Sequence, residues 1–321
     1  MYVTGDRIGD AMLKYPAIKA FRTKNPSVHL TWVSGRRPSA FKGRLSWLND
    51  GLIDEIHEEV FHTLRPWSRF PPQISARFFD TVVCTESRLV ANLATRRIPH
   101  RVFISPFLHN KRADSDGPRA PSPKSSVTSK LSELLSAVCG FDVGQEQAIQ
   151  LPSHVEEWAK SVLPLEKAYF GLSPGAGGKR KQWPIEYFIE LCERIRHYSG
   201  LQPVFFLGPE DKELLGHLTR TNLGALFPES LVEQRGQQST AQTIALARRV
   251  EFSVANDSGG GHLVAAGGNP TVTLFGHTDP IKFASPYGTQ IALSARDLGV
   301  RRLRDISVSL VLCFLQKNGL V

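Results

Sequence analysis

With 321 residues, 41% of them hydrophobic, and a mean hydropathy of −0.18, the chain has the composition of a globular protein too long for one ordinary core, and two domains are expected. The formal charge of +9, from 39 Lys+Arg against 30 Asp+Glu, points to an anionic partner, while the lack of zinc-finger, RRM or KH signatures argues against nucleic acid. No apolar run reaches the roughly 18 residues of a spanning helix. The N-terminus shows no signal-peptide pattern, and the scattered Cys84, Cys139, Cys192 and Cys313 form neither CxxC nor a metal cluster, as expected of free thiols in a reducing cytoplasm.

Met1-Tyr2-Val3-Thr4 reads as a very short strand running into Gly5-Asp6-Arg7-Ile8-Gly9-Asp10, with a helix from Ala11 to about Thr23. A buried first strand usually has about five or six residues, so the start reads as clipped. Asp10, between glycines and the helix, is placed either as an N-cap or as a carboxylate facing a ligand. Pro16 is expected to kink the helix or to begin its main body. Strands follow at Val28–Ser34, Ile53–Ile56, Phe78–Cys84 and Arg101–Ser105. Between Arg88 and Arg112 lie six Lys/Arg, two His and no acid, which reads as a solvated basic face or as a surface for an anionic partner. Residues 111–130, rich in Ser, Pro and charge, are expected to form a loop or lid. Lys130–Cys139 returns to helical spacing, and Leu151–Leu163 holds the interdomain link and a helix.

A second alternating series begins with a strand at Ala168–Ser173, which ends in Pro174-Gly175-Ala176 and a Gly/Lys turn containing Lys181. Pro184 opens a helix through about Arg196. Pro203–Leu207 is a strand ending in Gly208-Pro209-Glu210-Asp211, which opens another helix. Thr240–Arg248 is helical, and Ile306–Gln316 is the terminal helix. Within 250–276, an apolar run ends at Asp257-Ser258, Gly259-Gly260-Gly261-His262 follows, and a small-residue helix leads to a second apolar run. This is a βαβ unit with polar groups at a strand's carboxyl end, where open α/β sheets bind ligands. Asp257 or Ser258 caps the helix, or the turn holds a phosphate; the pattern alone supports both. Strand–helix alternation predicts an α/β protein of two Rossmann-like, doubly wound parallel sheets. If the sheets face each other, the turns with Asp10, Lys181, Glu210 and Asp257/Ser258/His262 converge. Read singly, Lys181 is better explained as a solvated lysine, Glu210 as a first-turn acid, and His262 as a packing histidine.

No G-x-x-x-x-G-K-[ST] and no complete G-x-G-x-x-G with a spaced acid is present, which argues against P-loop and nicotinamide chemistry. Several motifs in order do resemble glycosyltransferase family 9, the ADP-heptose:lipopolysaccharide heptosyltransferases. They are Gly9-Asp10 with Pro16-Ala17-Ile18; Ser173-Pro174-Gly175-Ala176 with Lys181-Gln182-Trp183-Pro184; Gly208-Pro209-Glu210; and Asn256-Asp257-Ser258-Gly259-x-x-His262-x-x-Ala265-Ala266 with Pro270, Phe275-Gly276 and Thr278-Asp279-Pro280. The resemblance implies a GT-B fold of two Rossmann-like domains facing across a cleft. It implies an acceptor-binding domain at 1–160, a nucleotide-sugar-binding domain at 165–300, and a C-terminal helix at 301–321 packing back toward the first. It implies an inverting, metal-independent transfer of heptose from ADP-heptose to a lipopolysaccharide inner-core hydroxyl. Asp10 would be the general base and Lys181 would act at the leaving group. Ser173, Gly175, Lys181, Glu210, Asp257, Ser258, Gly259 and His262 would hold the donor. The acceptor is an anionic lipid-linked oligosaccharide at the inner membrane surface, for which Arg96, Arg97, Arg101 and Lys111 are the candidate contacts. A nucleotide-sugar 2-epimerase of GT-B-like fold, or a non-catalytic nucleotide-sugar or lipid-binding protein, are the competing readings. Against the first stands His262-Leu-Val-Ala-Ala after the turn, where that family places acids.

Overall fold

A computed structural model describes residues 1–3, 5–61, 65, 67–106, 125–228 and 239–321. It divides into two compact units, Met1–Ala148 and Ile149–Val321.

The first unit holds strands β1 (Tyr2–Val3), β2 (Thr31–Ser34), β3 (Glu55–His57), β4 (Phe79–Val83) and β5 (His100–Ile104). All pairings are parallel. The ladders β1–β2–β3 and β4–β5 meet through one bridge, Tyr2 to Cys84, reinforced by the Thr85 N–H donating to the Tyr2 carbonyl at 3.1 Å. The resulting order β3-β2-β1-β4-β5 is that of a dinucleotide-fold half, with the direction of winding reversing at β1. Helices α1 (Ile8–Lys24), α2 (Pro72–Ser75), α3 (Leu89–Thr95) and α4 (Val127–Cys139) complete the unit. Tyr2, Val33, Phe61, Phe70 and Phe103 form one core beneath the sheet.

Two boundaries differ from those expected. Helix α1 starts at Ile8, so Asp10 is an acid of the first turn and not the cap; the cap position is Arg7, whose side chain makes no capping bond. Pro16 sits inside the helix, which continues past it, and the Pro16 carbonyl accepts from the Glu146 N–H at 3.0 Å. Helix α4 starts at Val127, inside the loop expected at 111–130, because the Ser126 hydroxyl caps it by accepting from the Ser129 N–H at 3.1 Å. Residues 107–124, which include positions 111–124 of that loop, lie outside the described residues, as does Thr4 of the expected first strand.

The second unit contains α5 (Ser153–Val162), β6 (Tyr169–Ser173), α6 (Ile185–Ser199), β7 (Gln202–Phe205), α7 (Lys212–Leu218), α8 (Ser239–Ala247), β8 (Phe252–Asn256), α9 (Gly259–Ala265), β9 (Thr271–Phe275), β10 (Gln290–Ser294) and α10 (Val308–Lys317). Its parallel sheet runs β10-β9-β8-β6-β7, a second doubly wound order. Strands β6, β8 and β9 are buried along their whole length, as expected where helices cover both faces. The edge strand β10 has no counterpart among the predicted elements: only Leu293 and Ser294 at its end are buried, and its residues show no clean period.

The unit boundary falls before α5, earlier than the expected 160. Helix α5 packs on α8, and Arg248 anchors it by pairing with Glu156 at 2.5 Å and donating to the Ile149 carbonyl at 2.6 Å. The C-terminal helix, expected to pack back toward the N-terminal domain, is part of the second unit's own core. Val308, Val311, Leu312 and Leu315 recur at helical spacing, are buried, and lie against α6. Each such side chain contributes about 1.5–3 kcal/mol when fully buried, which holds α10 in that core.

Candidate functional site

In the second unit the chain leaves β6 for β7 on one side of the sheet and returns to β8 on the other. Such a divergence opens a crevice at the carboxyl ends of the two central strands. Three polar turns meet there: 174–184 after β6, 257–262 after β8, and 276–283 after β9.

Asp257 is the hub. It is 4% exposed, and its Oδ2 accepts from Lys181 Nζ at 2.8 Å and from Thr278 Oγ1 at 2.6 Å. His262 Nε2 stands 3.9 Å from the other carboxylate oxygen. Lys181, on a short 3-10 turn and about one-third exposed, also approaches the Asp257 carbonyl at 3.4 Å and lies 5.8 Å over the Phe283 ring. An ammonium has three N–H donors, so Lys181 retains capacity for an incoming anion while its charge is balanced from beneath.

Asn256 sets the height of Lys181. Its side-chain amide donates to the Pro174 carbonyl at 2.7 Å and its Oδ1 accepts from the Trp183 N–H at 3.2 Å, clamping both ends of the Lys181 turn. Trp183 is itself buried and donates Nε1 to the Ile306 carbonyl at 2.9 Å.

The choice between Asp257 and Ser258 as cap is decided by geometry. Ser258 caps α9, its Oγ accepting from the Gly261 N–H at 3.1 Å, which leaves the Asp257 carboxylate for Lys181. Gly259 begins the helix. At Gly261 a Cβ would stand 2.4 Å from the Asn256 carbonyl oxygen, so only glycine lets α9 sit this close to β8. The buried Ser173 hydroxyl lies 3.2 Å from where a Cβ of Gly260 would be, placing it beside the first turn of α9.

Gly175 faces the Asp211 carboxylate, which accepts from the Gly208 N–H at 2.8 Å. Burial raises the Asp211 pKa, the Gly208 N–H opposes this, and the charge of Glu210 adds to the rise. Glu210 itself is exposed on the turn after β7, next to the β6 turn.

In the first unit, Asp10 lies at the carboxyl end of β1. It is half-buried, and its carboxylate takes part in no hydrogen bond or ion pair among the described residues. The turn that carries it is fixed by Asp6, which is fully buried and accepts from Trp32 Nε1 at 3.0 Å and Ser39 Oγ at 2.5 Å. The Asp6 carbonyl accepts from the Ala40 N–H at 2.9 Å, so the loop after β2 is stapled beside the Asp10 turn.

The basic residues expected to meet an acceptor are placed otherwise. Arg96 and Arg97 follow α3, and Arg101 opens β5, so all three lie at the amino edge of the parallel sheet. The Asp10 turn is at the carboxyl edge, about 15 Å away for a five-residue strand. Arg96 stacks 5.6 Å over Phe103, and Arg101 pairs with Asp80 at 3.6 Å. Lys111 lies outside the described residues. The carboxyl edge instead presents Arg36, Arg37, Lys42 and Arg44, all exposed on the stapled loop after β2, with Lys42 paired to Glu58 at 3.0 Å. Nothing singled out that loop in the sequence; a Gly-Arg-Arg-Pro segment directly after a strand is the signal that would have found it.

The family-model and sequence comparisons with known proteins point to one family. The model of glycosyltransferase family 9 (heptosyltransferase) matches residues 76–302. Lipopolysaccharide heptosyltransferase 2 of Salmonella typhimurium is 32% identical over 122 residues, 37% of this chain and 34% of its own length. Lipopolysaccharide heptosyltransferase 1 of Pseudomonas aeruginosa is 23% identical over 307 residues, 90% of this chain and 81% of its own. The aligned part of the chain spans about a third of the length of the first curated relatives it matches. Among solved structures, a family 9 glycosyl transferase from Veillonella parvula superposes with a TM-score of 0.70 at 18% identity, covering 99% of this chain and 95% of that one. The E. coli heptosyltransferase WaaC with ADP superposes at 0.65 and 19% identity, covering 99% and 97%. The fold is that of these GT-B proteins.

Proposed function

The chain belongs to glycosyltransferase family 9, the heptosyltransferases, and from that premise we propose that it moves a heptose from ADP-heptose to a hydroxyl of a lipopolysaccharide inner-core acceptor, with inversion. Asp10 takes the proton of the acceptor hydroxyl as its oxygen attacks the anomeric carbon. The bond from that carbon to the diphosphate oxygen breaks, and ADP leaves with the electron pair. Lys181, held by Asp257 and Thr278, meets the growing charge on the diphosphate, which would let the reaction proceed without a metal. Ser173, Gly175, Ser258, Gly259 and His262 line the same strand ends and hold the donor, while the exposed Glu210 reads its nucleoside part.

The single observation that carries the reading is the Lys181–Asp257–Thr278 cluster at the crossover of the second sheet, where a lysine is presented on a buried, neutralising base. WaaC was solved with ADP and shares the fold, which supports ADP as the leaving group. The acceptor's anionic groups meet Arg36, Arg37, Lys42 and Arg44, because these lie on Asp10's edge of the sheet and Arg96, Arg97 and Arg101 do not. No described helix is long and apolar enough to cross a membrane. The exposed arginines and lysines of this basic edge support a reading in which the enzyme reaches a lipid-linked acceptor at the inner membrane surface.

The test follows nucleotide release from ADP-, GDP- and UDP-sugars in the presence of a lipid A–sugar acceptor. ADP-heptose should be turned over fastest, and product should form only with acceptor present. A faster GDP- or UDP-sugar would overturn the donor; release of free sugar epimer without acceptor would favour an epimerase. Asp10→Asn should lower kcat by roughly 10²–10⁴-fold, the contribution of a positioned base, with ADP affinity kept. An unchanged rate removes Asp10 from the mechanism.

A further inference from the structure

Asp6 and Lys14 form a buried ion pair one helical turn from Asp10, and no role in the reaction above uses it. Asp6 is 0% exposed and the Lys14 side chain 10%, with Nζ 3.6 Å from Asp6 Oδ1. That oxygen has no hydrogen bond, although Oδ2 of the same carboxylate has two. Buried carboxylate oxygens are normally satisfied, so the geometry at Oδ1 is unusual. It serves the lysine by charge more than by direction. Lys14 Nζ donates instead to the Gly5 carbonyl at 3.3 Å and lies 5.8 Å over the Trp32 ring.

Lys14 is also four residues after Asp10 on α1, a spacing at which an acid and a base on a helix pair readily. No such pair forms: the ammonium points back to the Gly5–Asp6 turn, and Asp10 takes part in no ion pair among the described residues. The other cation near Asp10 in the chain is Arg7, three residues before it and exposed. Among the described residues Lys14 is the one buried lysine or arginine, and the Asp6 charge holds its ammonium at the Gly5–Asp6 turn and away from the Asp10 carboxylate.

We infer that Asp6 is a positioning residue that withholds Lys14 from Asp10, an inference resting on the reading of Asp10 as the general base. Without the Asp6 charge, the Lys14 ammonium loses its buried counter-ion and turns to Asp10. An ion-paired Asp10 can still be present, folded and correctly placed, yet its lone pairs are directed at an ammonium instead of an acceptor hydroxyl.

Asp6→Asn is the decisive substitution. The amide oxygen still accepts from Trp32 and Ser39, while its NH2 faces Lys14 and repels it. The variant should lose roughly tenfold or more in kcat, a part of what a positioned base contributes, with donor and acceptor KM changed by less than about twofold. Adding Lys14→Met removes the competing cation, and the double variant should regain most of the lost kcat. A purely structural Asp6 predicts the reverse, since a second buried substitution would compound the damage. Lys14→Met alone should keep kcat, at some cost in stability, because Asp6 is left buried without its partner. Loss of kcat in Lys14→Met would mean that Lys14 itself acts in the reaction and would overturn the inference, as would a double variant no faster than Asp6→Asn. If Asp6→Asn does not fold, the double variant, neutral at both positions, and Lys14→Met carry the comparison. A crystal structure of Asp6→Asn, or of the unliganded enzyme bearing Asp6→Ser, reads the same point without any activity. Lys14 Nζ within 4 Å of the Asp10 carboxylate supports the inference, and Lys14 still on the Gly5 carbonyl refutes it. Failure of wild-type protein to transfer heptose would be a failure of the proposed function and would leave this structural result standing.

Discussion

Replacing Lys181 by Met asks the most of the second-unit site. The substitution keeps the stem and removes the ammonium that neutralises Asp257, whose side chain is 4% exposed. Breaking a fully buried pair from one side costs about 3–5 kcal/mol, whereas an exposed pair contributes about 0–1 kcal/mol. Lys181 is 33% exposed, and Asp257 keeps the Thr278 hydrogen bond at 2.6 Å. The expected loss therefore falls between the limits, about 1–3 kcal/mol, or a fall in Tm of about 3–9 °C for a unit of this size. Asp257→Asn should be milder, because the amide oxygen still accepts from Thr278 and Lys181 can return to solvent; under about 1 kcal/mol is expected. The double variant should then be more stable than Lys181→Met alone, since the uncompensated buried charge is gone. Urea denaturation of the four proteins gives the coupling energy. Titration with ADP gives the functional half: losing one charge-assisted contact should weaken ADP by roughly tenfold or more in both variants that lack Lys181. Additive stabilities together with unchanged ADP affinity would refute the reasoning and return Lys181 to the status of a solvated lysine.

The other expectations are more local. Reversing Arg36 and Arg37 together to Glu should raise acceptor KM by roughly tenfold or more, while reversing Arg96 and Arg97 should change it by less than about twofold; steady-state kinetics with a phosphorylated acceptor would show the opposite ranking if the acceptor uses the amino edge. Gly261→Ala puts a methyl group 2.4 Å from the Asn256 carbonyl, and should cost about 1–3 kcal/mol or more by pushing α9 off β8; a variant as stable as wild type in thermal melts would mean that α9 shifts freely. Glu55 gives a pH signature. Burial pushes its carboxyl up, but hydrogen bonds and charge from Arg77 and His57 outweigh this and hold it at about 2. A folded pKa below the unfolded one gives stability that is present above the unfolded value and lost as pH falls from about 4.5 to about 2. Glu55→Gln should therefore be less stable than wild type at neutral pH, with the gap closing over that acid range; a gap independent of pH in denaturation curves would contradict the assignment.

How much of this was legible beforehand depends on how local each feature is. The βαβ unit at 250–276 could be read directly, because strand, glycine turn and small-residue helix each leave their own period in the sequence. Lys181 and Asp257 could be named, yet their pairing could not: 76 residues separate them, and only the adjacency of β6 and β8 brings them to 2.8 Å. The division of roles between Asp257 and Ser258 was equally hidden. Both are good caps by residue type, and the backbone geometry of α9 selects the serine.

The basic run from Arg88 shows the limit most plainly. Its charge was visible as a run, but a strand and a helix carry successive residues to opposite edges of a sheet, so neighbours in sequence need not share a surface. Tertiary structure removed Arg96, Arg97 and Arg101 from Asp10's edge and put the loop after β2 there. The sequence by itself determined the alternation of strands and helices, the parallel sheets that follow from it, the chemistry-bearing residues at strand ends and, through ordered motifs, the family. The tertiary structure decided which of those residues meet, where each unit begins, and which charges lie buried together, as Asp6 and Lys14 do. Periodicity is written in short-range spacing, whereas burial and charge pairing depend on which distant segments the sheet order makes neighbours.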